Sequence, residues 1–207
     1  MLSLLLSFPP EHLLAFMAAG IVLNLTPGAD VIFATASGIA GGPRAGAVAG
    51  LGVGLGGLWH VGLAAAGISA LIATNPAALI ALRYAGAAYL AYLAYAAWTA
   101  PPTLAKTTDS TVPARAIWRG FLTNALNPKV ALFVIAYLPQ FTDPALGPVW
   151  QQILLLGGIF TLTGTIITAS YGAIAGHMGT ALSTRLTILN KLGAVLFGGL
   201  AAKLILD

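Results

Sequence analysis

The sequence has no cysteine and very few charged residues. Only 7% of its 207 residues are Asp, Glu, Lys or Arg, whereas a soluble domain carries about 25%. The absence of cysteine excludes disulfides, thiol redox chemistry and cysteine-ligated metals. Two stretches, 45–82 and 144–184, contain no charged residue at all. Each is longer than the roughly 20 apolar residues that a helix needs to cross a bilayer.

Apolar residues dominate what is present. Hydrophobic residues make up 58% of the chain, and the mean hydropathy is +0.92. This composition predicts an all-α integral membrane protein with the lipid bilayer as its surroundings. The formal charge of +4 does not indicate a nucleic-acid partner. The basic residues lie at predicted helix ends, where membrane topology and anionic lipids account for them.

Six hydrophobic segments are predicted, and they divide into two sets of three. They cover roughly residues 12–40, 45–72, 77–100, 116–141, 149–175 and 187–206. The chain is expected to be a single membrane transporter domain, 1–207, with one half at about 1–100, a polar connector at about 101–115 and the other half at about 116–207. Because each half has three spans, two halves that fold alike must face opposite ways in the membrane. This is the 3+3 inverted repeat found in many transporters.

The first and fourth predicted spans share a local pattern. Thr26-Pro27-Gly28 interrupts the first span, and Asn127-Pro128 interrupts the fourth. Thr or Asn at the N-cap followed by Pro at the first helical position is how a helix begins. The sequence therefore predicts that both spans are broken helices that restart at membrane depth. Such paired breaks are the best sequence indication of a transporter's binding site.

One carboxylate and one amine lie beside these breaks. Asp30 is the only acidic residue deep within a predicted span, and Lys129 follows Pro128 directly. Ionisable residues inside a membrane are functional candidates by default. A zwitterionic amino acid would need an anion for its ammonium and a cation or free N–H groups for its carboxylate. The alternative is a structural Asp30–Lys129 pair that joins the two halves.

Several weaker candidates surround this pair. The predicted substrate-binding residues are Asp30, Lys129, Asn127, Thr26, Asn24 and Asn124. Asn24 and Asn124 could equally satisfy backbone groups freed by the breaks. Asp30 and His60 are candidates for proton coupling, although His60 could instead be a neutral residue bonded across helices. The threonines of the fifth span, 161–168, are expected to serve packing and partial lining of the path.

Glycine recurs every four residues in and before the second span, at Gly38, Gly42, Gly46, Gly50 and Gly54. Gly52 and Gly56 add a second row. In an apolar stretch this pattern predicts close helix packing rather than a phosphate-binding loop, which would need a preceding strand. The ladder could pack within one chain or between two, so a homodimer stays open.

The distribution of Lys and Arg predicts the orientation. The first, third and fifth loops carry Arg44, Lys106, Arg115, Arg119, Arg185 and Lys191, against Arg83 and Lys203 on the other side. By the positive-inside rule the three richer loops are cytoplasmic and both termini lie outside.

The same residues resemble the LysE/RhtB family of amino-acid exporters along nearly the whole chain. LNLTPGADVIFATASGIAGGPRAG, from Leu23, is similar to that family's opening signature, and RGFLTNALNPKVALFVIAYLPQF, from Arg119, to its second break. The family's proline-glycine-proline-aspartate run has Ala29 in place of its second proline, but Asp30 is kept. The Asp-containing signature is that of the Rht-like branch, which suggests neutral amino acids or homoserine-like metabolites as substrates.

This resemblance implies export of a small amino acid from the cytoplasm across the bacterial plasma (inner) membrane, coupled to proton entry by antiport. It implies no enzymatic activity and no cofactor. Two other classes of protein fit the sequence less well. An intramembrane aspartyl protease would need two intramembrane aspartates, and only Asp30 is present. A metal or ion permease on the same six-helix plan would need several oxygen ligands, and a single Asp with Lys129 nearby argues against it.

Overall fold

The computed structural model describes residues 2–74, 77–99, 113–178 and 183–206. In these ranges the regular structure is entirely helical, which confirms the all-α prediction. Residues 75–76 and most of the connector, residues 100–112, lie outside the described residues. The helices are α1 (Leu2–Ser7), α2 (Pro10–Leu25), α3 (Ala29–Thr74), α4 (Ala77–Thr99), α5 (Pro113–Ala125), α6 (Pro128–Leu132), α7 (Val149–Met178) and α8 (Ser183–Leu206).

The first interruption separates α2 from α3, but it is not built as the sequence suggested. Thr26 is extended (φ −69°, ψ 119°) and ends α2 instead of capping α3. Its hydroxyl and its backbone N–H both donate to Val22 O, at 2.7 and 2.9 Å. Because a proline follows, helical backbone is disfavoured at Thr26. The next helix begins at Ala29, two residues after Pro27, so the prediction of a Thr26 N-cap was wrong.

The second interruption, between α5 and α6, has the predicted local geometry. Asn127 is extended, and its side-chain Oδ1 accepts the Lys129 N–H at 2.9 Å. Pro128 occupies the first helical turn, where its missing N–H costs nothing. After α6 the chain continues as a π-helical turn, Phe133–Tyr137, and a 3₁₀ turn, Leu138–Phe141. The helical stretch Pro128–Phe141 is bent by 52° relative to α5, Pro113–Ala125.

A third irregularity divides α3 itself. Gly42 has φ 82° and ψ 177°, a conformation that glycine adopts without penalty, and Pro43 follows it. The kink lies between the first two predicted segments, 12–40 and 45–72. Gly42 therefore serves as a turn and not as a packing residue of the glycine ladder, since a Cβ there would meet no atom within 4 Å.

The remaining ladder glycines divide between two neighbouring helices. A Cβ on Gly46 or Gly50 would collide with the α7 backbone at Gly172 or Ala169. A Cβ on Gly52 would collide with the α5 backbone at Ile117. The predicted close packing is thus present within one chain, where α3 lies between α7 and α5 while α4 packs against α8.

Two helices of the described residues are long and apolar enough to cross a membrane. They cover Ala29–Gly67 and Val149–Met178, and the bent segment from Pro113 to Phe141 would make a third. The apolar helices therefore fit a membrane protein.

Candidate functional site

The two interruptions meet in the interior of the molecule. Asp30, in the first turn of α3, accepts hydrogen bonds at Oδ2 from the side-chain amides of Asn124 (3.0 Å) and Asn127 (2.8 Å). All three side chains are at most 5% exposed. Asn124 lies near the end of α5 and Asn127 caps α6, so the carboxylate of the first half is held by the break of the second half.

Lys129 makes the reciprocal connection. Its Nζ donates to the backbone oxygens of Leu23 (3.0 Å) and Thr26 (2.9 Å), at the end of α2. A helix leaves its last carbonyls without internal partners, and its C-terminal end attracts cations. A Cβ added to Gly28 would lie 3.0 Å from Nζ, so the missing side chain gives the lysine room. The cation of the second half is therefore held by the break of the first.

Asp30 and Lys129 are neighbours in one buried cluster, but their hydrogen bonds go to other groups. The carboxylate binds two amides, and the ammonium binds two carbonyls. Asp30 Oδ1 is buried and has no hydrogen-bond partner, which is costly for a carboxylate oxygen. Lys129 has three N–H groups, of which these two bonds use two. Asp30 Oδ1 and one N–H of Lys129 thus remain available for further hydrogen bonds.

His60 is connected to Asp30 by hydrogen bonds through Asn124. Its Nε2 is 2.9 Å from the backbone oxygen of Asn124, and because a carbonyl only accepts, Nε2 is the donor. That carbonyl also accepts the Asn127 N–H at 2.8 Å, and it has no partner four residues on because residue 128 is a proline. The contact is the cross-helix hydrogen bond considered as the alternative to a proton relay, and it joins His60 to the cluster only through Asn124.

Asn24 contacts α7 and not the backbone groups freed by the two interruptions. Its Nδ2 donates to Phe160 O (3.2 Å) and Thr163 Oγ1 (3.3 Å), both on α7. Thr26, the other candidate near this break, uses its hydroxyl on Val22 O. Sequence reasoning missed Tyr171 of α7, whose hydroxyl donates to Leu25 O at 3.1 Å. Nothing in the local pattern around Tyr171 would have indicated this contact.

A small cavity adjoins the cluster. It leaves about 20 Å³ for the centre of a water molecule, which is space for about one water. Its lining combines polar side chains with glycines and comes from α2, α3, α5, α6 and α7: Asn24, Asp30, Val53, Gly54, Gly57, Asn124, Val130, Phe160, Thr161, Gly164, Thr165 and Thr168. An amino acid would not fit without movement of these helices.

The site brings a buried carboxylate and a buried ammonium together with amide groups. Among the described residues, no group of three or more His, Cys, Asp or Glu side chains could hold a metal ion. The cluster offers one free carboxylate oxygen and one partly free ammonium, both inside the protein.

Comparison with known proteins gives matches along nearly the whole chain. The model of a family described as LysE type translocator matches residues 21–207. An uncharacterized membrane protein of Vibrio cholerae is 33% identical, over 90% of this chain and 92% of the relative. A homoserine/homoserine lactone efflux protein of Salmonella typhi is 31% identical over the same shares of the two chains. A leucine efflux protein of Salmonella choleraesuis is 29% identical over 91% and 92%. No solved structure matches.

Proposed function

The chain belongs to the LysE type translocator family, and on that premise we propose that it exports amino acids from the cytoplasm by proton antiport. The substrates are neutral amino acids or homoserine-like metabolites. Relatives named as homoserine/homoserine lactone and leucine efflux proteins support this class. The observation that carries the proposal is the unpartnered Asp30 Oδ1, buried where the two helix interruptions meet.

Antiport follows from the single free oxygen of Asp30. This oxygen can take a proton or bind the ammonium of a substrate, but not both at once, because protonation neutralises Asp30 and removes the anion that a buried ammonium needs. Competition for one buried carboxylate would force the two to move in opposite directions. His60 would reach Asp30 only through Asn124, so its role in proton coupling is to keep that asparagine in position.

The other end of a zwitterion would bind near Lys129. Charge-assisted hydrogen bonds between a lysine ammonium and a carboxylate are among the stronger ones in proteins. Lys129 has one N–H left after its bonds to Leu23 and Thr26. The proposed substrate contacts are thus Asp30 for the ammonium and Lys129 for the carboxylate, with Asn124 and Asn127 orienting Asp30.

Alternating access supplies the movement that the small cavity requires. We propose six spans arranged as a 3+3 inverted repeat, with the first broken at Pro27 and the fourth at Pro128. Several of the helix contacts support this arrangement, because exchanging two equivalent halves would preserve them. In that exchange α4–α8 and the contact of α3 after Gly42 with α7 map onto themselves, and α3–α5 corresponds to α7–α2. Rocking of one half against the other would open the cavity to each side of the bacterial inner membrane in turn.

The test is flux of labelled amino acids in liposomes with an imposed pH gradient. Wild-type protein should move neutral amino acids only with the gradient, and Asp30→Asn should abolish that dependence because its side chain cannot carry the proton. Asp143→Asn is the matched control: this exposed carboxylate caps a short turn by accepting the Ala145 N–H, and asparagine can do the same. Unchanged gradient dependence in Asp30→Asn would refute the role of Asp30 in coupling.

A further inference from the structure

Three residues that line the small cavity each carry a buried oxygen atom with no hydrogen-bond partner. The atoms are Asp30 Oδ1, Asn124 Oδ1 and Thr161 Oγ1. The side chains come from α3, α5 and α7, and none is more than 6% exposed. Buried polar atoms nearly always find partners, so three unpaired oxygens around one cavity indicate a missing group.

The chemistry of the three atoms defines that group. Asn124 must turn its Nδ2 toward Asp30, because a carboxylate only accepts, and this fixes its Oδ1 as the free acceptor. With Asp30 ionised, the set offers one charged acceptor, one amide acceptor and one hydroxyl. A primary ammonium has three N–H bonds, so it can donate to all three oxygens and also balance the charge of Asp30. A water molecule can pair the same oxygens, by donating to Asp30 and Asn124 and accepting from the Thr161 hydroxyl, but it leaves the buried charge of Asp30 without a cation.

The size of the cavity agrees with a single head group. About 20 Å³ of the cavity is open to the centre of a water molecule, which is space for about one such molecule, and an ammonium group is similar in size to water. Thr165, which also lines the cavity, donates to Thr161 O at 2.7 Å within its own helix.

We propose that this cavity is the ammonium subsite of the transporter, with Thr161 as its third acceptor. The inference rests on the proposed function and adds a contact on α7 and a substrate requirement. Substrates should carry a primary ammonium. An N-methylated amino acid, with two N–H groups, would leave one of the three oxygens unpaired, and a 2-hydroxy acid would leave the carboxylate without a cation.

The test compares each labelled amino acid with its N-methyl analogue in the liposome flux assay. Wild-type protein should prefer the primary amine by about tenfold, the value of one charge-assisted hydrogen bond. In Thr161→Val only two acceptors remain, so both analogues can satisfy them and the preference should fall to about twofold or less. Thr161→Ser should restore it. Ser170→Ala is the matched control and should keep the wild-type preference, because this α7 hydroxyl is exposed, bonds back to Ile166 O at 2.7 Å and does not line the cavity.

Failure of this inference can be told apart from failure of the proposed function. If amino acids move but Thr161→Val keeps the full preference, the cavity holds water or packing space and the inference is overturned. A requirement for a sodium gradient that Thr161→Val alters would also overturn it, since the cavity would then hold an inorganic cation.

A binding measurement covers the case in which no amino acid moves. Methylammonium chloride, compared with sodium chloride at equal concentration, should raise the unfolding temperature of wild-type protein in detergent but not that of Thr161→Val. If it does so without any flux, the export proposal fails and the ammonium subsite stands. If there is neither flux nor stabilisation, both fail.

Discussion

At the scale of residues, each charge of the site is held by the half of the chain to which it does not belong. Asp30 binds amides beside the second interruption, and Lys129 binds carbonyls beside the first. Removing either residue therefore has two effects: it removes a proposed substrate contact, and it leaves buried groups of the other half unpaired. Stability and transport must be measured together to separate these effects.

Lys129→Met should destabilise the protein even without substrate. The substitution leaves the Leu23 and Thr26 carbonyls without the donor that now pairs them, at a cost of about 1–3 kcal/mol for each buried group. Thermal unfolding in detergent should show the loss, and the flux assay should show a raised KM. Lys191→Met is the control, because that exposed lysine lies over the Trp98 ring (5.3 Å) and should cost less than about 1 kcal/mol.

Two outcomes would change this interpretation. An unfolding temperature equal to that of wild type would mean that the two carbonyls find other partners, and the capping role would be wrong. A large loss of stability with an unchanged KM would make Lys129 a purely structural residue, which is the alternative that the sequence left open.

The sequence identified the important residues of the cluster better than their partners. Asp30 and Lys129 stand out because charge is rare in this chain, and Asn127 was identified as an N-cap from its position before Pro128. Thr26 has the same position before Pro27, but its hydroxyl can also bond back to the carbonyl four residues earlier, and it does. Local sequence offers both options and does not decide between them.

At the scale of elements, glycine sets how closely α3 approaches its neighbours. The spacing of four residues between glycines was enough to predict close packing of α3, because it places the glycines on one face of the helix. It could not predict that Gly42 differs from the other members, because its role depends on the turn made with Pro43. Nor could it predict which α7 threonines line the cavity, or that Thr161 among them keeps an unpaired hydroxyl, because that depends on the rotation of α7 against α3.

Gly46→Ala should disrupt the α3–α7 contact. The new Cβ would overlap the backbone of Gly172, which cannot move aside as a side chain end can, so the helices must separate. Overpacking of this kind costs about 1–3 kcal/mol or more. Gly62→Ala is the control in the same helix, because a Cβ there meets nothing within 4 Å and alanine favours helix. Thermal unfolding in detergent should separate the two variants.

Equal stability of Gly46→Ala and Gly62→Ala would contradict the close approach of α3 and α7. If both variants were stable but only Gly46→Ala lost flux, the contact would matter for movement between states and not for the folded state itself.

At the scale of the whole molecule, the two interruptions have their functional meaning only together. Each alone is a helix break with an orphaned end, and the reciprocal bonds of Asp30 and Lys129 join them into one buried site. Because the same bonds cross between the halves, movement of one half against the other would have to break them. A substrate or a proton that replaces these partners could therefore favour such movement, as alternating access requires.

The opposed orientation of the two halves can be tested directly because the chain has no cysteine of its own. Ser7, Ala114 and Ala145 are exposed positions near the N-terminus, the connector and the turn before α7. Three proposed spans separate Ser7 from Ala114, and one broken span separates Ala114 from Ala145. In intact cells a membrane-impermeant maleimide should label Ser7→Cys and Ala145→Cys, and Ala114→Cys only after permeabilisation.

Each result of the labelling experiment bears on a different part of the proposed topology. Inverted labelling at all three positions would keep the opposed halves and reverse the predicted orientation, which depends on the Lys and Arg count. Labelling of Ser7→Cys and Ala114→Cys from the same side would require an even number of spans between them. Two halves of three spans would then be impossible, and the inverted repeat with its exchange of α2 and α5 would have to be abandoned, whatever the flux assay gave.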